Sequence, residues 1–382
     1  MRALVLTASL GLAFAGLFVG GVAADETEDI INQASLEEYH SYLRVLTGVD
    51  AVPGTDPPVY LTNRYSFGDE IQIAAQWIYD HFAALGLDSS FHEFDPAYGP
   101  NVIGELYGST RPEDIYIICG HFDTYHAGDQ EHAPGCDDNG SGTCTAMMAA
   151  RILSQYEFEG TIRFIAWAGE EQWMVGSLAY VADAWDAGEN IVAAINLDMI
   201  LHPGWDNQEP DPDYDIDIEG NNPSQWLAQY LADRYGTYTP IDFEVHDNAN
   251  YVSDHWSFWQ YGYDAVGLCE NTTYEIWGGS NDSYHQTTDT IDNPHFDWEF
   301  ALQVIRGGMA GLIDLAGLIP SECPGDLDGD GDTDQSDLGI LLADWGCDDP
   351  VNGCAGDLDG DDDTDQSDLG ILLADWGCGV GP

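Results

Sequence analysis

The sequence predicts an α/β fold, in which a mixed, mostly parallel twisted sheet is flanked by helices, followed by a small all-α module. Three observations support this fold class. Apolar runs of strand length alternate with helical patterns over residues 25–320. The composition then changes abruptly. Beyond that change, the stretch 325–347 recurs almost unchanged as 356–378, which indicates a tandem repeat.

Residues 1–24 are predicted to be a signal peptide and not part of the fold. Arg2 provides a basic start, residues 3–22 are mostly apolar, and small residues at 22–24 suit a cleavage site before Asp25. A membrane anchor is the alternative, but no stop-transfer pattern follows, and no other run approaches the roughly 18 apolar residues of a span. We therefore expect an exported protein, secreted or associated with the cell surface, without a membrane span after cleavage.

The charge of the chain excludes one class of partner. The sequence has 69 acidic residues against 8 arginines, with no lysine, and a formal net charge of −61. Binding to phosphates requires lysine and arginine side chains that displace counterions, so such a field repels nucleic acid and anionic lipid. We expect no nucleic-acid partner.

The predicted α/β domain, residues 25–320, begins with helices. A helical pattern covers 36–46, and an amphipathic pattern over 71–85 places apolar residues on one face before Gly86. These apolar residues are Ile71, Ala75, Ile78, Phe82 and Leu85. The run NVIGEL at 101–106 then predicts the first strand.

Four further apolar runs predict strands of the same sheet, and polar residues of catalytic type follow them. The runs lie at 115–119, 161–168, 191–197 and 264–269. Helical patterns lie between and after them, at 143–156, 223–235 and 298–315. In open α/β sheets, ligands and catalytic groups collect outside the carboxyl ends of the strands. The residues that follow these runs are therefore the candidates for a site.

The loop 120–142, GHFDTYHAGDQEHAPGCDDNGSG, carries metal-ligand chemistry. His121 can offer a neutral imidazole and Asp138 a carboxylate, while the glycines let the backbone turn tightly around an ion. Asp123, two residues after His121, is placed to orient that imidazole. An ordinary acidic turn is the alternative, because Asp, Asn and Gly favour turns for backbone reasons alone.

Three more carboxylates and a histidine extend this candidate site. Glu170 and Glu171 directly follow a strand, so that one can bind metal while the other faces substrate, although a charge pair at a helix start is the alternative. Asp198 ends an apolar strand, where an unpaired charge is costly. His285 lies in a polar loop. Two imidazoles and three carboxylates suit two metal ions that share one bridging carboxylate and acidify a water molecule.

In combination these motifs resemble the dizinc aminopeptidases of the secreted bacterial leucyl-aminopeptidase type, within the zinc-peptidase superfamily, over residues 36–319. GHFDT matches the first histidine motif of that family, and PGCDDNGSG matches its PGADDNxSG motif with cysteine in place of the usual alanine. The resemblance implies two zinc ions. Their ligands would be His121 and Asp198 for one ion, Glu171 and His285 for the other, and Asp138 as the bridge.

The same resemblance assigns roles to residues that do not bind metal. It implies Glu170 as the general acid/base and Asp123 as the aspartate that orients the histidine. Tyr284 matches a tyrosine that polarises the scissile carbonyl in some members, and Tyr251 is its rival for that role. His255, in a Ser-Asp-His pattern, is interpreted as a structural residue or as a partner of a ligand.

The resemblance favours an aminopeptidase that removes N-terminal residues from peptides, with Glu170 moving the proton. Carboxypeptidases and single-zinc glutaminyl cyclases share the fold, so the fold alone does not decide the reaction. A third alternative is an inactive scaffold whose calcium-dependent tail does the binding. The unligated carboxylate of Glu170 favours the enzyme, because a scaffold has no need of it.

Export makes the eight cysteines plausible disulfide partners. Eight cysteines allow 105 connectivities, so the sequence does not choose among them. Cys136 and Cys144 flank the Asp-Asp turn of the loop and are candidates to link it. Cys119 and Cys269 end apolar runs and are interpreted as buried thiols. The other four lie in the repeat, at Cys323, Cys347, Cys354 and Cys378.

Each repeat opens with aspartates at positions one, three, five, seven, nine and twelve of a calcium loop. They are Asp326, Asp328, Asp330, Asp332, Asp334 and Asp337 in the first repeat, and Asp357, Asp359, Asp361, Asp363, Asp365 and Asp368 in the second. So many like charges predict that calcium binding and folding are coupled. A disordered acidic tail is the alternative. The apolar LGILLADWG after each loop argues against it.

Residues 321–382 depart from a standard EF-hand, because position twelve is aspartate and position six is Gly331 in one loop and Asp362 in the other. The pattern resembles a type I dockerin, an EF-hand-like module of two loop-helix units. The resemblance implies two calcium ions and a cohesin-like or cell-surface partner. Contact with that partner would be made at 335–336 and 366–367.

Overall fold

The computed structural model describes residues 23–126, 128, 132–203, 215–246, 253–270, 281–319, 323–347, 353–361 and 363–378. The predicted signal peptide lies almost entirely outside these residues, as do Tyr251 and Asp362. Among the residues that the structure describes, every helix is too short or too polar to span a membrane.

A mixed eight-stranded sheet forms the centre of the α/β domain and confirms the predicted fold class. Its strands are β1 (Asp88–His92), β2 (Asn101–Leu106), β3 (Arg111–His121), β5 (Gly160–Trp167), β6 (Asn190–Leu197), β7 (Asp215–Glu219), β8 (Asp242–His246) and β9 (Ala265–Cys269). Their spatial order is β1-β2-β5-β3-β6-β9-β7-β8. The central strands β5, β3, β6 and β9 are parallel. Strands β4 (Glu157–Phe158) and β10 (Leu318–Ile319) form a separate antiparallel pair.

Helices flank this sheet. They are α1 (Ala23–Ile31), α2 (Leu36–Leu46), α3 (Glu70–Ala84), α4 (Gly142–Leu153), α5 (Val175–Ala187), α6 (Gln225–Tyr238), α7 (His255–Tyr261) and α8 (Trp298–Ala316). Two shorter helices, α9 (Gln335–Ala343) and α10 (Gln366–Ala374), belong to the repeat. The Ser35 hydroxyl accepts from the Glu38 amide at the start of α2, and the Asp297 carboxylate accepts from the Phe300 amide at the start of α8.

The central strands are buried on both faces. Successive side chains of a strand point to opposite sides of the sheet, and each side is covered by its own core cluster. On β3, Tyr116 and Ile118 enter the larger core cluster, which includes residues of α2, α3, α4, α6 and α8. Ile115 and Ile117 enter a smaller cluster with residues of α5 and α7. The near-continuous apolar runs in the sequence are therefore the two alternating faces of parallel strands.

The parallel strands β3, β5, β6 and β9 present their carboxyl ends at one edge of the sheet. The first ends at His121, the second stops three residues before Glu170, and the third stops one residue before Asp198. The loop between β3 and α4 returns to this edge, where Cys136–Ser141 forms a tight turn. This arrangement positions the candidate site.

Some elements differ from the sequence-based expectations. The strands expected at 101–106, 115–119, 161–168, 191–197 and 264–269 are all present, with small differences in their bounds. The strands β1, β7 and β8, the short pair of β4 and β10, and the helices α1, α5 and α7 were not predicted. Strands β7 and β8, DIDIE and DFEVH, carry acidic residues at alternate positions, so they lack the long apolar run that marked the central strands.

The repeat folds as two similar loop-helix units that interlock. Thr333 of the first loop exchanges backbone hydrogen bonds with the segment after α10, donating to Cys378 and accepting from Gly377, at 2.9 Å each. Thr364 of the second loop makes the equivalent pair with the segment after α9. Asp334 and Asp365 form capping boxes at the starts of α9 and α10. The sequence repeat thus corresponds to a structural repeat.

The cysteines divide between the two parts of the chain. Disulfides link Cys323 with Cys378 and Cys347 with Cys354 across the repeat. The expected link between Cys136 and Cys144 is wrong, because both are buried thiols outside any disulfide. Packing on the surrounding core holds their loop in place. Cys119 is a buried thiol, as interpreted from the sequence, whereas Cys269 is a thiol that is only partly buried.

Arg64 is a fully buried cation that fastens the loops at the site edge. Its guanidinium donates to the carbonyls of Leu46 at 2.5 Å, Phe122 at 2.6 Å, Pro134 at 2.7 Å and Gly135 at 2.8 Å. Gly135 has φ of +53°, and a Cβ there would lie 2.2 Å from a Thr124 methyl carbon, so the turn requires glycine. One side chain therefore satisfies four carbonyls from three segments.

We expect Arg64→Met to lower the free energy of unfolding by about 3 kcal/mol or more, because four carbonyls lose a charged donor. Urea denaturation of the two proteins measures this loss. Arg44→Met is the matched control, since Arg44 pairs with Asp50 on an exposed surface and should change the midpoint little. A loss below about 1 kcal/mol for Arg64→Met would contradict the assigned role.

The neighbouring strands β7 and β8 are joined by a contact between a histidine and a carboxylate. His246 Nε2 lies 2.7 Å from Asp217 Oδ1, and this hydrogen bond raises the pKa of His246 to about 9. A raised folded-state pKa means that the pair stabilises the fold fully below about pH 6.5 and loses this effect as pH rises through 9. Against His246→Gln, the advantage of the native protein should fall by about 1 kcal/mol between pH 6 and 10. If the unfolding free energies of the native protein and His246→Gln changed in parallel with pH, the assigned role of the pair would be contradicted.

Candidate metal centre

His121, at the end of β3, faces two carboxylates. Its Nδ1 lies 3.1 Å from the Asp123 carbonyl oxygen, and because a carbonyl only accepts, Nδ1 carries the proton. Its Nε2 lies 3.4 Å from Asp138 Oδ1 and 3.4 Å from Asp198 Oδ1. These three side chains offer one ligand atom each within 4.8 Å of one another.

His285 forms a second set on the other side of Asp138. Its Nε2 lies 3.0 Å from Glu171 Oε2 and 3.1 Å from Asp138 Oδ2. These three atoms also lie within 4.8 Å of one another. Each oxygen of the Asp138 carboxylate therefore faces a different histidine, so the two sets share Asp138.

The chemistry of these side chains fits metal ions. In the described part of the chain, Asp138 Oδ2, Glu171 Oε1 and Asp198 Oδ1 are buried and take no hydrogen bond. Buried carboxylate oxygens without partners are costly unless they coordinate a cation. Two imidazole nitrogens and three carboxylates are a common donor set for zinc. The five residues expected as ligands are thus brought together in two groups of three.

The pKa shifts within the cluster also indicate a site for cations. Burial and the neighbouring Asp138 carboxylate raise the pKa of Glu171 to about 7. Burial alone would lower the pKa of His285, but Asp138 and Glu171 outweigh it and raise that pKa to about 10. The cluster therefore holds positive charge strongly, which is the property that a site for divalent cations needs.

Asp123 organises the site more widely than expected. The sequence predicts that its carboxylate orients His121, but the contact to the imidazole is made by its backbone carbonyl, and its Oδ1 lies 3.6 Å from Nδ1. The carboxylate instead accepts from the amides of Glu170 at 3.1 Å and Glu171 at 3.3 Å, and from Ser66 Oγ at 2.6 Å. It fixes the backbone of the glutamate pair.

Glu170 lies beside both sets without belonging to either group of three. Its Oε2 is 3.8 Å from His121 Nε2, and the residue lines the cavity at the site. Burial, together with the carboxylates of Asp254, Glu171 and Asp198, raises the pKa of Glu170 well above its usual value, and His121 only partly opposes this. A carboxyl group with raised pKa in a cavity is suited to proton transfer.

Two residues that the sequence analysis did not assign hold the ligands in place. Ser253 Oγ donates to Asp198 Oδ2 at 2.5 Å, and it comes from the Ser-Asp-His stretch noted for His255. Asp289 accepts from the amides of Asp137 at 2.8 Å and Asp138 at 3.0 Å. The Ser-Asp-His stretch is the feature of the sequence from which Ser253 could have been found. Asp289 had no signal, because it lies about 150 residues from the turn it supports.

Tyr284 lies at the site, whereas its rival Tyr251 is outside the described residues. The Tyr284 ring stacks on the His285 imidazole with centroids 3.9 Å apart, and the residue lines the cavity. Burial and the acidic neighbours hold the pKa of Tyr284 well above its usual value, so its phenol stays protonated. It can donate a hydrogen bond to a ligand.

Curated relatives share part of this sequence. A probable zinc metalloprotease of Pyrenophora tritici-repentis (strain Pt-1C-BFP) is 28% identical over 203 residues, which cover 49% of this chain and 46% of that protein. Leucine aminopeptidase 2 of Arthroderma otae is 29% identical over 212 residues, which cover 50% of this chain and 40% of that protein. The chain spans about half the length of these curated relatives.

Solved structures share the fold. The LapA aminopeptidase of Legionella pneumophila superposes with a TM-score of 0.63 and 20% identity, covering 77% of this chain and 75% of that one. A glutaminyl cyclase of Fimbriiglobus ruber has a TM-score of 0.54 and 16% identity, covering 72% and 94%. At these identities the likeness concerns the fold and not the reaction.

The family model of peptidase family M28 matches residues 101–306, which is more than half of the chain. The matched span includes every residue of the two ligand sets and Glu170. With zinc metalloproteases and leucine aminopeptidases among its relatives, and with a site whose residues fit zinc, the chain belongs to peptidase family M28.

Proposed function

We propose that this protein is an exported dizinc aminopeptidase that removes N-terminal residues from peptides. The observation that carries the proposal is the arrangement around Asp138, whose two oxygens face two separate histidine-carboxylate sets. The free carboxyl group of Glu170 beside both sets supports a hydrolase. The leucine aminopeptidase relative favours removal of the N-terminal residue.

Zinc would be held by the two groups of three. His121, Asp198 and Asp138 would hold one ion, and His285, Glu171 and Asp138 the other. When bound, the ions acidify a water molecule and polarise the scissile carbonyl. The protein contributes the fixed positions of the ligands, through the hydrogen bonds that Ser253 and Asp289 make.

Glu170 moves the proton in this mechanism. Its carboxylate takes a proton from the attacking water and returns it to the leaving amine. Asp123 holds the backbone amides of Glu170 and Glu171, so the base and the adjacent ligand keep a fixed separation. Tyr284 donates its phenol proton in a hydrogen bond to the carbonyl oxygen as negative charge develops there.

The alternatives remain those that the fold allows. A carboxypeptidase would use the same site with the substrate reversed. A glutaminyl cyclase, one of the structural neighbours, is expected to work with one zinc, whereas both sets are complete in this chain. An inactive scaffold would have no use for the unligated carboxylate of Glu170 beside five ligands.

Leucine anilide tests the reaction. The full-length protein should cleave it, a chelator should abolish cleavage, and the N-acetylated anilide should resist, since an aminopeptidase requires the free amine. Glu170→Gln should lower kcat by roughly 10²- to 10⁴-fold, because the base is lost, while two zinc ions remain bound.

The matched control is Glu113→Gln, an exposed glutamate near the start of β3 that should leave both cleavage and zinc content unchanged. Retained turnover by Glu170→Gln would contradict the mechanism. Absence of cleavage with two zinc ions bound would favour the carboxypeptidase first, and the scaffold next.

We propose further that residues 321–382 are a dockerin-like module that binds two calcium ions. The support is that carboxylates of each loop accept hydrogen bonds from backbone amides of the same loop. Asp326 accepts from the amides of Gly329 and Gly331, and Asp337 accepts from the amides of Leu327 and Asp328. In the described chain, Asp332 Oδ1 is buried and takes no hydrogen bond, which suits coordination of a cation.

A partner would dock on the exposed faces of this module. Gln335 and Gln366 are exposed at the starts of α9 and α10. The ends of the same helices expose an equivalent apolar set in each unit, Leu342 and Trp345 in the first and Leu373 and Trp376 in the second. A cohesin-like or cell-surface partner, together with export, would place the enzyme outside the cell.

Calcium titration tests the module. The full-length protein, held with zinc, should bind two calcium ions by calorimetry, and Asp330→Ala should bind one, because a ligand of the first loop is lost. Asp186→Ala, an exposed aspartate of α5, is the control and should still bind two. Unchanged stoichiometry in Asp330→Ala, or no calcium binding at all, would contradict the proposal. Anilide cleavage should be the same in all three proteins.

A further inference from the structure

The cavity at the metal centre extends well beyond the candidate ligands. The space inside it, including the part that is open to solvent, is about 580 Å³. One wall of it is formed by residues that belong to neither ligand set, namely Met199, Glu219, His255, Gly267, Leu268 and Cys269. Strands β7 and β9 provide most of this wall.

Glu219 brings a carboxyl group to that wall. It is the last residue of β7, opposite Gly267 of β9 in the antiparallel register, and it is 4% exposed. Its Oε2 lies 3.7 Å from His255 Nε2. In a buried cavity a charge interacts far more strongly than in water, so a carboxylate there discriminates sharply between cationic and neutral ligands.

His255 adds a neutral hydrogen-bond acceptor beside Glu219. It is 2% exposed, and neither ring nitrogen has a hydrogen-bond partner in the described chain. Burial lowers the pKa of His255 to about 3, so the imidazole is uncharged at neutral pH and does not repel a cation. Gly267 makes room for the ring, because a Cβ there would lie 2.8 Å from two of its atoms.

The remaining walls are apolar. Met199 and Leu268 are 4% and 0% exposed, and they line the same cavity. A long aliphatic stem that ends in a cation suits apolar walls with a carboxylate among them, and lysine and arginine have this form. The net charge of −61 would also attract basic peptides to the protein.

We propose that Glu219 and His255 form the end of a specificity pocket for a basic side chain. The enzyme would then prefer peptides whose N-terminal residue is lysine or arginine. This inference rests on the proposed function for its description of the substrate. The pocket itself is defined by residues that belong to neither ligand set.

Binding of two free amino acids tests the pocket without turnover. L-lysine and L-norleucine have the same four-carbon stem, and lysine adds a terminal ammonium group. The zinc-loaded full-length protein should bind lysine at least about tenfold more tightly by calorimetry, because a charged hydrogen bond in a buried site is worth that much. Glu219→Gln should remove most of the preference, since it keeps the size of the side chain and loses the charge.

Cleavage of lysine anilide and leucine anilide provides the kinetic counterpart. The ratio of kcat/KM for the two substrates should favour lysine in the native enzyme and fall about tenfold or more in Glu219→Gln. Glu244→Gln is the matched control, because it removes one nearby charge on β8 without entering the cavity. Its ratio should stay within about twofold of the native value.

Several results would overturn the inference. Equal binding of lysine and norleucine by the native protein would do so even if Glu219→Gln failed to fold. An unchanged ratio in a folded Glu219→Gln would assign Glu219 a structural role only. If the ratio of kcat/KM fell equally in Glu244→Gln, the preference would come from the net charge of the protein and not from the pocket. If no anilide is cleaved but lysine binding depends on Glu219, the proposed function fails and the pocket stands.

Discussion

The structure of the site depends on one constraint, the burial of three carboxylates around two histidines. Asp138 lies between His121 and His285, and its neighbours Glu171 and Asp198 are also largely removed from water. Without cations, such a cluster is costly. Many hydrogen bonds of the surrounding chain position this cluster. The buried guanidinium of Arg64 donates to the carbonyls of the turn, and the carboxylates of Asp123 and Asp289 accept from backbone amides. The parallel sheet supplies the rigid edge on which all of these loops meet.

The central part of this arrangement could be predicted from the sequence. Apolar runs marked the four parallel strands, and the residues that follow them, from His121 to Asp198, are those that the structure brings together. The strands β7 and β8 could not be predicted in this way, because their alternating acidic residues resemble exposed turns. Glu219 was missed for this reason, since it ends one of these strands.

Long-range partners explain the other omissions. Asp289 supports the Asp138 turn from about 150 residues away, and Arg64 reaches it from about 70. A single sequence contains no signal that pairs such distant residues. The same holds for Cys136 and Cys144, whose spacing suggested a link, whereas burial in the core already fixes their turn. The roles expected for the ligands stay predictions, although the geometry that those roles require is present.

The most direct test of the account is anomalous diffraction at the zinc edge from crystals of the full-length protein grown with zinc. The account predicts two peaks, one among His121, Asp138 and Asp198 and the other among Asp138, Glu171 and His285, with one oxygen of Asp138 directed to each. A single peak would favour a one-zinc enzyme of the cyclase type. No peak in this cavity, with zinc bound elsewhere, would contradict the central claim.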